Sequence, residues 1–388
     1  MPHLPSAESS PLRRYLHGGK GNAPYALITG ATGGMGEEWA YQLAHHGFNV
    51  IIQGRNRKKL EIVRETIISR QIYKDTPKRR KSTTKKDKLD EQTPSTTKRK
   101  ASVKRRKSKD QLSGTSTANT NSPTFLPVPA HVQVEILVCE ATPYPNAELQ
   151  EGLDSLLSKK DLRLTIVINN LGVQSEGYPR LEDLTKEEMA GIVIANSLFP
   201  AEVTRKCMFN LKQNQPSLLV TVTSIGAWTP TPYLSPYMGT KGFDVAFSHS
   251  LRSEMICEGE QVDVVCMVPG QVQSGMCAEP VSLMVPTSFD WVRSAVSSLR
   301  PGGSLGTILP FNWLAPPAFQ PSSSSKKQSP PPSSYWTRPK GVITPWWPHY
   351  AGMLVAQYGP TWLLDSVAVK TVKGLKRKHE EIEDEKSK

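Results

Sequence analysis

The most constraining feature of the chain is a glycine-bearing turn, Thr29-Gly-Ala-Thr-Gly-Gly-Met-Gly36, between an apolar run, Tyr25–Thr29, and a helix-like stretch, Glu37–His46. Glycines at 30, 34 and 36 let backbone approach another group closely. A helix beginning directly after them offers unpaired N–H groups and the positive end of its dipole. A plain strand-to-helix turn with packing glycines would carry the same residues, so the turn takes its meaning from the elements around it. Near-continuous apolar strands recur at Asn49–Gln53, Val132–Val138, Leu164–Ile168, Leu218–Thr223 and Val262–Val268. Between them Lys58–Ile72, Ala147–Leu157, Lys186–Leu211 and Pro236–Glu258 have helical spacing. Thr185 with Glu188 predicts a capping box at the start of the third of these, and Pro200 predicts a kink within it. Such alternation implies an α/β fold with a doubly wound parallel sheet, and ligands at the carboxyl ends of its strands.

A formal charge of +13 over 388 residues first suggests a nucleic-acid or membrane-surface binder. Between Lys74 and Asp110, however, 16 Lys or Arg face 5 Asp or Glu, so this stretch holds +11 of the total. The near-neutral remainder is enzyme-like and argues against nucleic acid as a partner. The insert 74–125 has basic clusters between Ser/Thr spacers and almost no large apolar residues, which predicts disorder. It reads as a nuclear localisation signal, a segment for nucleic acid or anionic membrane, or a solvated loop. A second insert, 302–339, contains 11 Pro or Ser in the 14 residues Pro321–Ser334. The expected organisation is an arm over 1–23, one domain over 24–300 interrupted by 74–125, its C-terminal part over 340–375, and a charged tail over 376–388.

Cys139, Cys207, Cys257, Cys266 and Cys277 are scattered, which predicts neither a disulfide framework nor a metal site, and a reducing compartment. The polar N-terminus and the lack of a long apolar run predict a soluble or peripherally membrane-bound protein.

The end of the second strand, Val50-Ile-Ile-Gln-Gly-Arg-Asn56, bears on cofactor choice. An acid here would bond a ribose 2′-OH, but none occurs between Phe48 and Leu60, whereas Arg55, Arg57, Lys58 and Lys59 crowd the position. Arg55 suits a 2′-phosphate, so NADPH is expected. Glu140, ending the third strand, is either an acceptor for the adenine amino group or a solvated acid. Asn169, ending the fourth, braces the sheet, contacts the adenosine ribose, or both. Tyr237 and Lys241 lie one helical turn apart and share a face. A cation so placed favours an ionised phenol, and the tyrosine can donate its proton to a ketone oxygen. Ser224, thirteen residues before Tyr237, would hydrogen-bond the same oxygen.

These residues closely resemble the short-chain dehydrogenase/reductase family. The resemblance covers most of Tyr25–Met276, through the turn Thr29–Gly36, Asn169-Asn-Leu-Gly172, Asn196, Ser224, Tyr237 with Lys241, and Pro269-Gly-Gln-Val-Gln-Ser-Gly-Met276. It implies a Rossmann-type fold and a catalytic tetrad of Asn196, Ser224, Tyr237 and Lys241, with Asn196 holding a water in a proton relay to the lysine. It further implies cofactor contacts from Gly30, Thr32, Gly34, Met35 and Gly36, from Arg55 and Asn56, and from Glu140 and Asn169. Tyr237 and Lys241 also contact the cofactor, and Val272 and Ser274 lie at the carboxamide end.

Pro232-Tyr-Leu-Ser-Pro-Tyr237 and Ile343-Thr-Pro-Trp-Trp-Pro-His349 resemble the very-long-chain 3-ketoacyl-CoA reductase and 17β-hydroxysteroid dehydrogenase type 12 branch. The chain departs from the family pattern at Leu171, where a small residue is usual, and at Gly239-Thr240, where a Ser/Ala pair is usual. The expected activity is NADPH-dependent reduction of a lipophilic ketone, a 3-oxoacyl thioester or a steroid, with Met276–Trp291 as a substrate lid. A homodimer and peripheral membrane contact are compatible partners. The expected location is the cytosolic face of the endoplasmic reticulum or the cytoplasm, with the nucleus as the alternative raised by the basic insert. A reductase fold kept as a scaffold for that insert is the competing reading.

Overall fold

Seven parallel strands carry the molecule. In chain order they are β1 (Tyr25–Ile28), β2 (Asn49–Gly54), β5 (Val134–Val138), β6 (Leu164–Asn169), β7 (Ser217–Val222), β8 (Val262–Met267) and β9 (Val342–Ile343). A separate parallel pair is formed by β3 (Gln71–Ile72) and β4 (Val128–Pro129). The computed structural model describes residues 10–18, 22–72, 126–229, 231–300, 338–339 and 341–386. The expected disorder of 74–125, and of nearly all of 302–339, lies outside the described residues.

The sheet order is β5-β2-β1-β6-β7-β8-β9, so the winding reverses between β1 and β6. That reversal opens a crevice at the strand carboxyl ends. The helices are α1 (Gly34–His45), α2 (Arg57–Ser69), α3 (Ala147–Leu157), α4 (Lys186–Val193), α5 (Phe199–Gln213), α6 (Ser235–Cys257), α7 (Ser288–Ser298), α8 (Trp347–Tyr358) and α9 (Thr361–Lys386). Strand side chains alternate between two apolar layers. Ala26 and Ile28 pack with Trp39, Leu43, Leu60 and Trp291 on one face, while Tyr25 and Leu27 pack with Leu149, Leu153 and Phe199 on the other. Because both faces are covered, the strands read as continuous apolar runs. Each large apolar side chain buried in full contributes about 1.5–3 kcal/mol.

Local chemistry sets the helix starts. Asn56 and Asn146 cap α2 and α3 through their side-chain oxygens, and Thr185 with Glu188 forms the expected capping box on α4. Where the sequence predicts a kink at Pro200, a π-helical turn, Ile194–Leu198, joins α4 to α5. Pro200 has no N–H to offer the preceding turn, and the helix is wider there than in α register.

Several expected boundaries move. The helix expected to Ile72 stops at Ser69, because Gln71 and Ile72 pair with Val128 and Pro129. The strand expected from Val132 begins at Val134. Part of the expected arm 1–23 packs into the core. Leu12 and Tyr15 in the 3-10 turn Pro11–Tyr15 are fully buried, and the Tyr15 hydroxyl donates to Asp263 on β8 at 2.7 Å. The amphipathic tyrosine fills an apolar site while its polar tip meets a buried carboxylate. Finally, the charged tail from 376 continues α9 to Lys386, supported by pairs such as Arg377–Glu381 at 3.2 Å one turn apart.

Candidate active site

The crevice is a cleft of about 1180 Å³ along the carboxyl ends of the strands. Small-molecule pockets run to about 300–1,000 Å³, so this one has room for an extended ligand and a second molecule beside it.

One half is built by backbone. Gly30 and Gly34 have φ of 65° and 58°, in the left-handed region that favours glycine. A Cβ on Gly36 would collide with the Gly30 carbonyl oxygen and lie 2.6 Å from Asn170 Nδ2. Only glycine therefore lets α1 begin directly on the turn. Gly33 caps α1 without a side-chain bond, and a Cβ there would meet nothing within 4 Å. The first N–H groups of α1, which have no intrahelical partner, thus border open space.

The turn is held from both flanks. Thr29 Oγ1 accepts from Asn170 N (3.0 Å) and Leu171 N (3.1 Å). Gln53, fully buried at the end of β2, accepts from Gly30 N at 3.0 Å and donates to Cys139 O at 2.9 Å. This geometry fits a dinucleotide pyrophosphate: a glycine cradle that side chains would fill, before a helix N-terminus.

Gly30, Thr32, Gly34 and Met35 line the cleft, and Gly36 shapes it from behind. Arg55 and Lys59 line its outer end with Glu140, and Arg55 Nη1 lies 3.6 Å from Glu140 Oε2. The Arg55 side chain is 77% exposed, and such a pair is worth only about 0–1 kcal/mol. A phosphate could therefore take the guanidinium over at little loss. Two expected contacts are used elsewhere. The Asn56 side chain accepts from Lys59 N as the α2 cap. Asn169 is buried and donates to Thr204 Oγ1 (2.9 Å) and Pro200 O (3.3 Å), bracing α5, while its neighbour Asn170 lines the cleft.

The other half is built by side chains. Ser224, Tyr237 and Lys241 all line the cleft, Ser224 from the end of β7 and the other two from α6. Lys241 Nζ lies 5.7 Å from the Tyr237 ring centroid. The lysine is buried, and its ammonium donates to Val222 O (3.1 Å) and Asp244 Oδ2 (2.9 Å). Burial alone would lower the Lys241 pKa, but the Asp244 carboxylate and Tyr237 outweigh it and the net direction is upward, so Lys241 is an ammonium. Asn196 sits in the π turn. Its Oδ1 accepts from Val173 N (2.8 Å), and its Nδ2 donates to Val173 O (2.8 Å) and Thr240 Oγ1 (3.1 Å). It thus anchors the segment after β6 to α6. Thr240 in turn donates to the carbonyl of Tyr237 at 2.6 Å.

Val272 and Ser274 line the cleft from the Pro-Gly segment. That segment is fastened by His349 of α8, whose Nδ1 accepts from Gly270 N (2.9 Å) while its Nε2 donates to Met284 O (2.9 Å). Burial lowers the His349 pKa and keeps the ring neutral in this tautomer. The expected lid is shorter than Met276–Trp291: Trp291 is fully buried in α7, and only Met276–Pro280 line the cleft. The far wall comes from α9 through Val367, Ala368, Thr371, Val372 and Leu375, spaced to share one helix face. Lys376 stands 5.0 Å from the Tyr233 ring and ties α9 to the turn that starts α6. That end of the cleft is apolar.

Sequence reasoning misses Gln53, Thr240, Asp244, His349 and the α9 wall. The signal for Gln53 is one amide in an apolar strand, and for Asp244 its place three residues after Lys241 on a helix. The α9 residues have no sequence signal linking them to a cleft built by β1 and β7.

A model of the short chain dehydrogenase family matches residues 130–282, and a model of the 3-hydroxyacyl-CoA dehydrogenase NAD binding domain matches residues 26–106. A very-long-chain 3-oxoacyl-CoA reductase of Aspergillus terreus is 28% identical over 285 residues, covering 73% of this chain and 63% of its own length. One of Eremothecium gossypii is 28% identical over 309 residues, covering 76% of this chain and 66% of its own. The chain thus spans just under two thirds of the length of these relatives. Among solved structures, a 7β-hydroxysteroid dehydrogenase aligns with a TM-score of 0.50 at 16% identity, over 74% of this chain and 84% of its own, a likeness of fold.

Proposed function

We propose that the chain is a member of the short-chain dehydrogenase/reductase family, whose model matches residues 130–282, and that it is an NADPH-dependent reductase of a lipophilic ketone, with a long-chain 3-oxoacyl thioester as the substrate class. The observation that carries the reading is the gathering of Ser224, Tyr237 and Lys241 between a glycine cradle and an apolar far end of one cleft. Bound NADPH would supply a hydride to the carbonyl carbon. The glycine turn and the start of α1 hold the pyrophosphate, and Arg55 and Lys59 receive the 2′-phosphate. Ser224 Oγ hydrogen-bonds the carbonyl oxygen and fixes its position. Tyr237 gives its phenolic proton to that oxygen, and Lys241 supports the charge left behind. The acyl tail lies along Val372, Leu375 and their neighbours on α9. The named activity of the curated relatives supports the thioester over a steroid.

No helix among the described residues is long and apolar enough to cross a membrane. Peripheral membrane contact belongs to the same reading, because Leu283, Met284, Trp347 and Trp362 stand exposed on the elements that form the apolar end. Flotation with phosphatidylcholine vesicles tests it.

The activity itself is tested with purified protein, NADPH and a panel of 3-oxoacyl thioesters, steroids and short ketones, followed at the cofactor absorbance. Turnover is expected to be fastest with the long 3-oxoacyl thioesters. A panel without any NADPH consumption overturns the proposal.

A further inference from the structure

Asp244 is a buried carboxylate, 2% exposed, with no part in the reaction described above. It lies three residues after Lys241 on α6, on the same side of the helix. Its Oδ2 accepts from Lys241 Nζ at 2.9 Å, and both side chains are only 4% exposed. Taking one partner away from a pair this deeply buried leaves an uncompensated charge. Resting on the reductase reading, we propose that Asp244 is a positioning residue that clamps Lys241 and offsets its charge, biasing the site towards giving a proton to a ketone over taking one from an alcohol.

The geometry supports both parts. An ammonium has three N–H groups. Asp244 takes one and Val222 O a second, which leaves a single N–H for the cleft. Gly172 borders Nζ, and even a Cβ there would lie 3.7 Å away, so no side chain crowds that approach.

The charged and titratable groups facing Lys241 are few. On α6 they are Tyr237 and Asp244, and on β8 there is Cys266. Burial and the Asp244 charge push the Cys266 thiol up to about 12, so it is neutral. From β7 Lys241 meets the Val222 carbonyl, and the segment after β6 presents Gly172. Tyr237 therefore stands beside an ammonium–carboxylate pair, whose opposed charges largely cancel with distance, not beside a lone cation.

In reduction the phenolic proton passes to the carbonyl oxygen as hydride reaches the carbon, and water then returns a proton to the phenolate. In the reverse direction the phenolate must form first and take the proton of the alcohol. A lone ammonium would favour that phenolate more strongly than a paired one does.

The test is the pH profile of alcohol oxidation with NADP+ in the parent protein, Asp244→Asn and Asp244→Glu. The parent rate is expected to rise with pH as the base form that takes the alcohol proton becomes available. Asp244→Asn should move the midpoint of that rise down by about one pH unit or more, the scale of a neighbouring charge, with NADPH affinity unchanged. Asp244→Glu, which keeps the charge, should return the parent profile. A side chain that only packs the core would change melting and leave the midpoint in place. Superimposable profiles for the parent and Asp244→Asn overturn the inference. So does an Asp244→Glu profile displaced from the parent as far as that of a charge-removing variant such as Asp244→Ala, which decides the matter even if Asp244→Asn fails to fold. A parent protein with no NADPH-dependent reduction at all would instead sink the reductase reading.

Discussion

The two halves of the cleft are made in different ways. The nucleotide half is made of backbone. Gly30, Gly34 and Gly36 shape it, Thr29 and Gln53 tie it down, and its residues fall within one β–α–β stretch. The substrate half is made of side chains from segments far apart: Leu234 and Met238 around the start of α6, Met276 beyond β8, and Val372 on α9. A backbone site tolerates almost no substitution where it is tightest, whereas an apolar wall of many side chains tolerates most. The first half should therefore break sharply when altered and the second should be tunable.

The largest effect is expected at the join between the halves. Tyr237→Phe removes the proton donor alone, so ketone reduction should fall by about 10²–10⁴-fold while NADPH fluorescence titration stays within a few-fold of the parent. Turnover near the parent level would show that another group gives the proton. Next comes the backbone half. Gly36→Ala forces a methyl against the Gly30 carbonyl oxygen and the Asn170 amide. Overpacking of this kind costs about 1–3 kcal/mol, which should appear as a lower Tm together with loss of tight NADPH binding. Unchanged binding would mean that the cradle does not need its close approach.

Legibility from sequence divides along the same line. The glycine turn, the strand order of motifs, the Thr185 capping box and the Tyr237–Lys241 face can all be read, because each is written in neighbouring residues. Asn169 stays open in the sequence between bracing the sheet and contacting the cofactor, because sequence gives a strand's end without giving the direction in which its side chain points. The segment around Leu12 and Tyr15 reads as an arm because its polar composition hides two side chains that are buried in the core. The α9 wall needs tertiary closure: Val367, Thr371 and Leu375 look like any amphipathic face until the helix lies over the cleft.

Two smaller effects sharpen the comparison. Arg55→Asp should narrow or reverse the preference for NADPH over NADH, by about tenfold or more, since hydrogen bonds to charged groups are worth about 1.5–3 kcal/mol. Equal affinities of the parent protein for both cofactors would remove the role given to Arg55. In the substrate half, Val372→Ala should cost about 1 kcal/mol of stability and raise KM for long 3-oxoacyl thioesters by a few-fold. Its kcat on a short ketone should stay unchanged. A fall in kcat on the short ketone would place α9 closer to the reacting carbon than its wall position implies.

The central claim is that this cleft passes hydride from NADPH to a ketone carbon. Its most direct test uses NADPH with both hydrogens at the nicotinamide C4 position replaced by deuterium, one long 3-oxoacyl thioester, and mass spectrometry of the alcohol formed. One deuterium on the carbinol carbon is the predicted result, with none transferred by Tyr237→Phe in the same time. Cofactor that binds while the thioester is recovered unreduced, or an alcohol that carries no deuterium, would contradict the account.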